Sequence, residues 1–138
     1  MKNLLVTFSC CLSAYFSFSQ KADSSHFYFN KGLEENNARL YAVAAKDFDK
    51  AIQLNPDYTE AYIANGKANL EMRRVFDAVG NFSKAYELDP KNNEVIKELS
   101  SLYFNKRQFQ KAIEFAQKCN NCDNTDRDLG MSYYHLED

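Results

Sequence analysis

The stretch YFNKGLEENNARLYAVAAKDFDKAIQLNP, residues 28–56, decides the fold, because residues 62–90 read YIANGKANLEMRRVFDAVGNFSKAYELDP and keep its spacing. Gly32 returns as Gly66, Ala44 as Ala78 and Ala112, Phe48 as Phe82, Ala51 as Ala85, Leu54 as Leu88 and Pro56 as Pro90, each step being 34 positions. Tyr28, Tyr62 and Ile96 hold one register, and Tyr41, Val75 and Phe109 hold another. A period of this length belongs to a small helical unit that buries its apolar face against copies of itself.

Around that stretch, apolar residues recur at three- and four-residue spacing, and no segment alternates apolar with polar for long, so the chain reads as all-α. Helices are expected near 24–37, 41–54, 59–72, 75–88, 93–106, 109–122 and 126–136. Gly32 and Gly66 fall midway along the first helix of their units and leave room for the second helix to approach. Ala44, Ala78 and Ala112 do the same from the other side, and Phe48 and Phe82 fill the gap toward the neighbouring unit. Pro56 and Pro90 cannot continue a helix and push the residue before them out of helical geometry, so the second helices stop after Leu54 and Leu88.

With glycine, alanine, phenylalanine and proline in those slots, residues 25 to about 122 resemble the tetratricopeptide repeat. The resemblance implies an α-solenoid of antiparallel helix pairs with units at about 25–58, 59–92 and 93–122. The third unit departs from the pattern, with Ser100 for glycine, Ala116 for phenylalanine and Asn124 for proline. Gly130-Met131-Ser132-Tyr133-Tyr134 looks like the first helix of a fourth unit, so 125–138 is either a capping helix or the front of a longer array.

The chain opens with one charge, Lys2, an apolar run from Leu4 to Phe18, and small residues in Ser17-Phe18-Ser19-Gln20. That is the pattern of a secretory signal peptide over 1–19, leaving a domain over 20–138. The run is too short for a membrane span of roughly 20 apolar residues. An exported, periplasmic or secreted location is expected, which makes the chain resemble exported bacterial-type members of the family. A lipid anchor on Cys10 or Cys11 is disfavoured, because Thr7-Phe8-Ser9 is a poor recognition sequence and so early a cut leaves almost no apolar region. Beyond the leader, about 118 residues suffice for one domain with a continuous core. The net charge of -2 becomes -3 without Lys2, with the signs well mixed. The sequence shows no basic stripe to attract nucleic acid, and bulk electrostatics is not expected to recruit partners.

The sharpest candidate for chemistry is Cys119-Asn120-Asn121-Cys122. In register, Cys119 takes the slot of Ala51 and Ala85 and Cys122 that of Leu54 and Leu88, packing positions at the end of a second helix. The dipole there raises a thiol pKa, whereas redox cysteines sit at helix N-termini. The pair therefore reads as structural, buried thiols or a local disulfide, with a thiol-redox or chaperone-like role as the alternative. No second cysteine pair or adjacent histidine supports zinc or haem, and His26 and His135 lie at opposite ends of the domain. Glu34-Glu35 and Glu137-Asp138 read as solvated faces, so no catalytic residue, metal or cofactor is expected.

What the resemblance implies instead is a concave groove, lined by the first helix of each unit, that holds a peptide or protein segment. By register its lining would be His26, Phe29, Leu33 and Asn36; then Glu60, Ile63, Lys67, Leu70 and Glu71; then Glu94, Lys97, Ser101, Phe104 and Asn105. Phe29, Leu33, Ile63, Leu70 and Phe104 would form an apolar strip, unless Leu33, Leu70 and Phe104 pack between helices. Members that grip the C-terminal carboxylate of chaperones carry a Lys/Asn/Arg clamp, whereas Phe29, Leu33, Ala64, Glu94 and Glu98 occupy the matching slots here. The expected function is a non-catalytic scaffold that binds a protein or peptide, with no nucleic acid and no integral membrane segment. Self-association through an exposed terminal helix is a further alternative.

Overall fold

The computed structural model describes residues 23–119 together with Met131 and Tyr134. These form six helices and, among the described residues, no strand: α1 (residues 23–37), α2 (Tyr41–Leu54), α3 (Thr59–Glu71), α4 (Val75–Leu88), α5 (Asn93–Asn105) and α6 (Phe109–Lys118). From α2 onward each helix packs on the next one in sequence. Because the connections are only three or four residues long, successive helices must run antiparallel, giving the α-solenoid expected from the period.

The repeated residues do what their chemistry dictates. Phe48 and Phe82 are fully buried, and each ring lies against the glycine of its own unit. A β-carbon on Gly32 would sit 2.6 Å from Phe48 Cε1, and one on Gly66 would sit 2.9 Å from Phe82 Cζ. The third unit reverses the pair. Ser100 replaces the glycine, is buried, and donates to the carbonyl of Ala112 at 3.0 Å, while Ala116 leaves the space that a phenylalanine would fill. The aromatic volume moves one residue back: Phe115 stacks on Tyr103 at 5.5 Å and meets Tyr86 edge-on at 5.2 Å.

One slot is satisfied in three different ways. Lys31 bonds Asp47 at 2.6 Å and lies 3.4 Å from Glu35; its hydrogen bond to Asp47 holds its pKa above the ordinary lysine range. Thirty-four residues on, Asn65 is buried and donates to Asp49 at 2.6 Å, while accepting from Asn69 at 2.9 Å. The third occupant, Leu99, is fully buried among Ile63, Phe82, Val95 and Leu102. Asp47, Asn65 and Asn69 survive in the interior because each finds a partner, whereas Glu35 Oε2 is buried without one among the described residues.

Helix ends follow local rules. Asn55 and Asp89, each before a proline, leave the helix at φ -135°. Their side chains accept from the amides of Asp57 and Lys91, both at 3.2 Å, and so turn the chain into the next unit. The expected end of α6 at 122 is corrected: α6 stops at Lys118, and Cys119 is extended at ψ 120°. Cys119 is disulfide-bonded, so its sulfur is tied where no proline ends the helix. Cys122, the signal peptide and the helix expected over 126–136 lie outside the described residues, apart from Met131 and Tyr134, which are helical.

The first helix of every unit ends the same way. Arg39, Arg73 and Arg107, 34 residues apart, have φ of 60°, 58° and 57°. In each case the arginine amide bonds back to Asn36, Leu70 or Phe104, and the next amide bonds to Glu35, Asn69 or Tyr103, which closes the left-handed helix cap. Glycine is the residue of choice there, because a β-carbon is strained at positive φ. Arg73→Gly is accordingly expected to stabilise the fold by roughly 0.5–1 kcal/mol, measured as a raised urea midpoint at unchanged slope. An unchanged or lowered midpoint would show that the arginine side chain contributes more than the strain it causes.

Candidate protein-binding groove

The first helices α1, α3 and α5 present one continuous face built from three registers. On α1, His26 and Leu33 are exposed and Asn36 is half-buried, while Phe29 packs between the rings of Tyr58 at 4.8 Å and Phe48 at 5.9 Å. The Tyr58 hydroxyl lies 2.8 Å from His26 Nδ1, and burial pushes its pKa above the ordinary tyrosine range, with the charge of Glu60 adding to the effect. On α3, Glu60, Lys67 and Glu71 are exposed and Leu70 lies half-buried over the core. On α5, Glu94, Lys97 and Asn105 are exposed, Ser101 is half-buried, and Phe104 meets Phe109 of α6 edge-on at 5.7 Å. The Lys67 ammonium donates to Glu94, bridging α3 to α5 across this face.

Ile63 does not line the face: it is only 9% exposed and belongs to the core with Phe82, Val95 and Leu99. The expected apolar strip is thereby corrected to a narrow seam. Leu33 is its open member, and Phe29, Leu70 and Phe104 show only their edges between charged side chains. The register of Ile63 points toward the groove, but Val95, Leu99 and Leu102 of the next unit join it in the core. Among the described residues, no three His, Cys, Asp or Glu side chains converge as metal ligands, and no helix is long and apolar enough to cross a membrane.

With this geometry in place, the family model of the tetratricopeptide repeat matches residues 25–58 and 98–125. Over those residues the chain is similar to the tetratricopeptide repeat. The middle repeat, α3 with α4, carries the same positive-φ turn, pre-proline helix end and glycine–phenylalanine contact as the first. Among solved structures, the chain is similar to the first repeat domain of Spaghetti (RPAP3) bound to the HSP90 peptide SRMEEVD, with a TM-score of 0.76 at 12% identity, covering 85% of this chain and 96% of that one. It is also similar to MamA, with a TM-score of 0.75 at 19% identity over 86% and 67% of the two chains. Among curated proteins, it is 35% identical over 80 residues to RNA polymerase II-associated protein 3 of Mus musculus, covering 54% of this chain and 12% of that protein. Over 100 residues it is 31% identical to the Protein CTR9 homolog of Arabidopsis thaliana, covering 72% of this chain and 9% of that protein. The chain thus spans about an eighth or less of the length of these curated relatives.

The opposite face of the repeats holds a cleft that the sequence reading missed. About 710 Å³ opens between α2 and α4, bounded by Ala45, Lys46, Asp49, Asn69, Arg74 and Asn81. Gly80 stands on its wall, in the slot of Lys46, and a β-carbon there would meet nothing within 4 Å. A glycine in mid-helix without a packing reason was the available signal, since it costs roughly 1 kcal/mol against alanine.

Proposed function

We propose that this chain is an adaptor without chemistry of its own, holding a segment of another protein along the face of α1, α3 and α5. The observation that carries the proposal is the seam itself: Leu33 exposed, and Phe29, Leu70 and Phe104 half-buried, on the first helices of three repeats between charges of both signs. An extended or amphipathic segment with spaced apolar anchors and a polar flank fits such a face. The similar Spaghetti domain holds an HSP90 peptide, but the present chain is not suited to a chaperone's terminal carboxylate. Of its clamp slots, Phe29 is tucked against Tyr58, Leu33 and Ala64 bring no charge, and Glu94 and Glu98 are carboxylates, which repel another. We place this activity outside the cytoplasm, on the strength of the leader pattern at residues 1–19. The Cys119 disulfide is a structural tie in this reading, at a helix C-terminus where the dipole does not activate a thiol.

The test is affinity capture from the envelope fraction of the source with the wild type and with a Leu33→Glu/Lys97→Glu variant. Both changes are at exposed positions, whereas a charge at Ile63 would unfold the core. A partner held by the wild type is expected to fall by at least roughly ten-fold on the variant, the effect of losing about 1.4 kcal/mol. Equal recovery on both would reject the face as the binding site.

A further inference from the structure

Because successive helices are antiparallel, the three turns inside the repeats (38–40, 72–74 and 106–108) fall on one edge of the solenoid and the loops between repeats on the other. With the three residues on either side, the inner turns carry Arg39, Arg73, Arg74, Lys106, Arg107 and Lys111 against Glu35, Glu71 and Asp77. The loops between repeats show the opposite balance, with Asp57, Glu60, Glu87, Asp89 and Glu94 against Lys91. A chain of net charge -2 is therefore strongly polarised across its width. Four of its five arginines sit in the inner turns, all four exposed, and none of these four guanidiniums takes part in an ion pair among the described residues. The lysines at 31, 67, 84 and 118 are paired.

The same edge exposes large apolar groups. Leu40 follows Arg39 and is 53% exposed, Val43 lies in the first turn of α2, and Phe76, two residues after Arg74, is 81% exposed. The Lys106 ammonium sits 4.4 Å over the Phe76 ring, so the second and third turns form one patch. Phe76 and Ala42 line the same cleft, which joins the first turn to it. Three of the arginines are held at positive φ, on rigid caps that aim them outward.

We propose that this arginine edge docks the protein on an anionic lipid surface, with the guanidiniums on lipid phosphates and Phe76 and Leu40 entering the headgroup layer. The apolar side chains decide the occupant. A nucleic acid backbone or an acidic polypeptide would satisfy the arginines but offer nothing to Phe76, whereas a bilayer interface takes cations and an aromatic ring together. The acidic edge then points away from the membrane, and the face of α1, α3 and α5 stays open to a partner.

The chain contains no tryptophan, so Phe76→Trp in the full-length chain places a single reporter in the patch. Added vesicles of phosphatidylcholine with roughly one-third phosphatidylglycerol are expected to shift its emission to the blue, and the shift should disappear in about 0.5 M salt. The same probe in an Arg39→Gly/Arg73→Gly/Arg107→Gly background should lose roughly a hundred-fold in partition, about five-fold per arginine, while the fold becomes no less stable. The reporter reads the edge itself, so insertion of the apolar residues 4–18 cannot imitate the result. The proposal is overturned if the shift is as large with pure phosphatidylcholine, if it survives loss of the arginines, or if anionic vesicles leave the emission unchanged. It is equally overturned if polyglutamate, or rising protein concentration alone, produces the shift without lipid, which would assign the edge to an acidic polypeptide or a second copy.

Discussion

Phe82→Ala is expected to cost about 3–5 kcal/mol, the upper range for a buried aromatic, and to lower the melting temperature by roughly 15–30 °C. The ring is fully buried and central: it lies on Gly66 of α3 and contacts the core that Ile63, Val95, Leu99 and Leu102 build between the second and third repeats. Its removal opens a cavity that rigid helices on both sides cannot close. The third repeat shows how the loss is tolerated, since Ala116 stands in the equivalent slot with Ser100 in place of the glycine. Gly66→Ser in the Phe82→Ala background should therefore return on the order of 1 kcal/mol, whereas Gly66→Ser alone should destabilise. Urea unfolding followed by circular dichroism measures all three variants, and simple additivity would refute the account of the pair as one packing unit.

Gly32→Ala is expected to cost about 1–3 kcal/mol, although alanine is the better helix former by roughly 1 kcal/mol. The new methyl would lie 2.6 Å from Cε1 and 2.8 Å from Cδ1 of Phe48, whose ring is fully buried and held by Phe29 and the Ala44, Ala45 and Ala68 cluster. The ring has no free volume to enter, so either α1 moves away from α2 or the ring leaves its rotamer. Gly80→Ala is the matched control, the same chemical change with nothing within 4 Å, and it should stabilise by roughly 0.5–1 kcal/mol. If both variants moved the thermal midpoint in the same direction, helix propensity rather than the contact with Phe48 would govern the site.

Much of the fold was legible because its signals are local. The bounds of α2 and α4 match those expected, since a proline two residues on and a pre-proline residue at φ -135° act within a few bonds. The site was legible only in part. Register placed Leu33, Lys67 and Lys97 on the open face but could not say that Ile63 would be roofed by α5. Nor did it show Lys67 bridging to Glu94, a partner 27 residues away.

By itself the sequence determined the period, the all-α character, the helix ends at Pro56 and Pro90, and the glycine slots that face Phe48 and Phe82. Each follows from steric rules that act over one helical turn or from a pattern that repeats. The tertiary structure alone decided which side chains of a given slot are buried, so that Lys31, Asn65 and Leu99 meet an ion pair, an amide network and a core. It also decided where charge accumulates. Arginines 34 residues apart look well mixed along the chain, yet antiparallel packing brings every inner turn to one edge and makes a basic stripe of them. Linear spacing carries no information about that edge until the helices reverse, because the reversal, not the composition, sets which residues become neighbours.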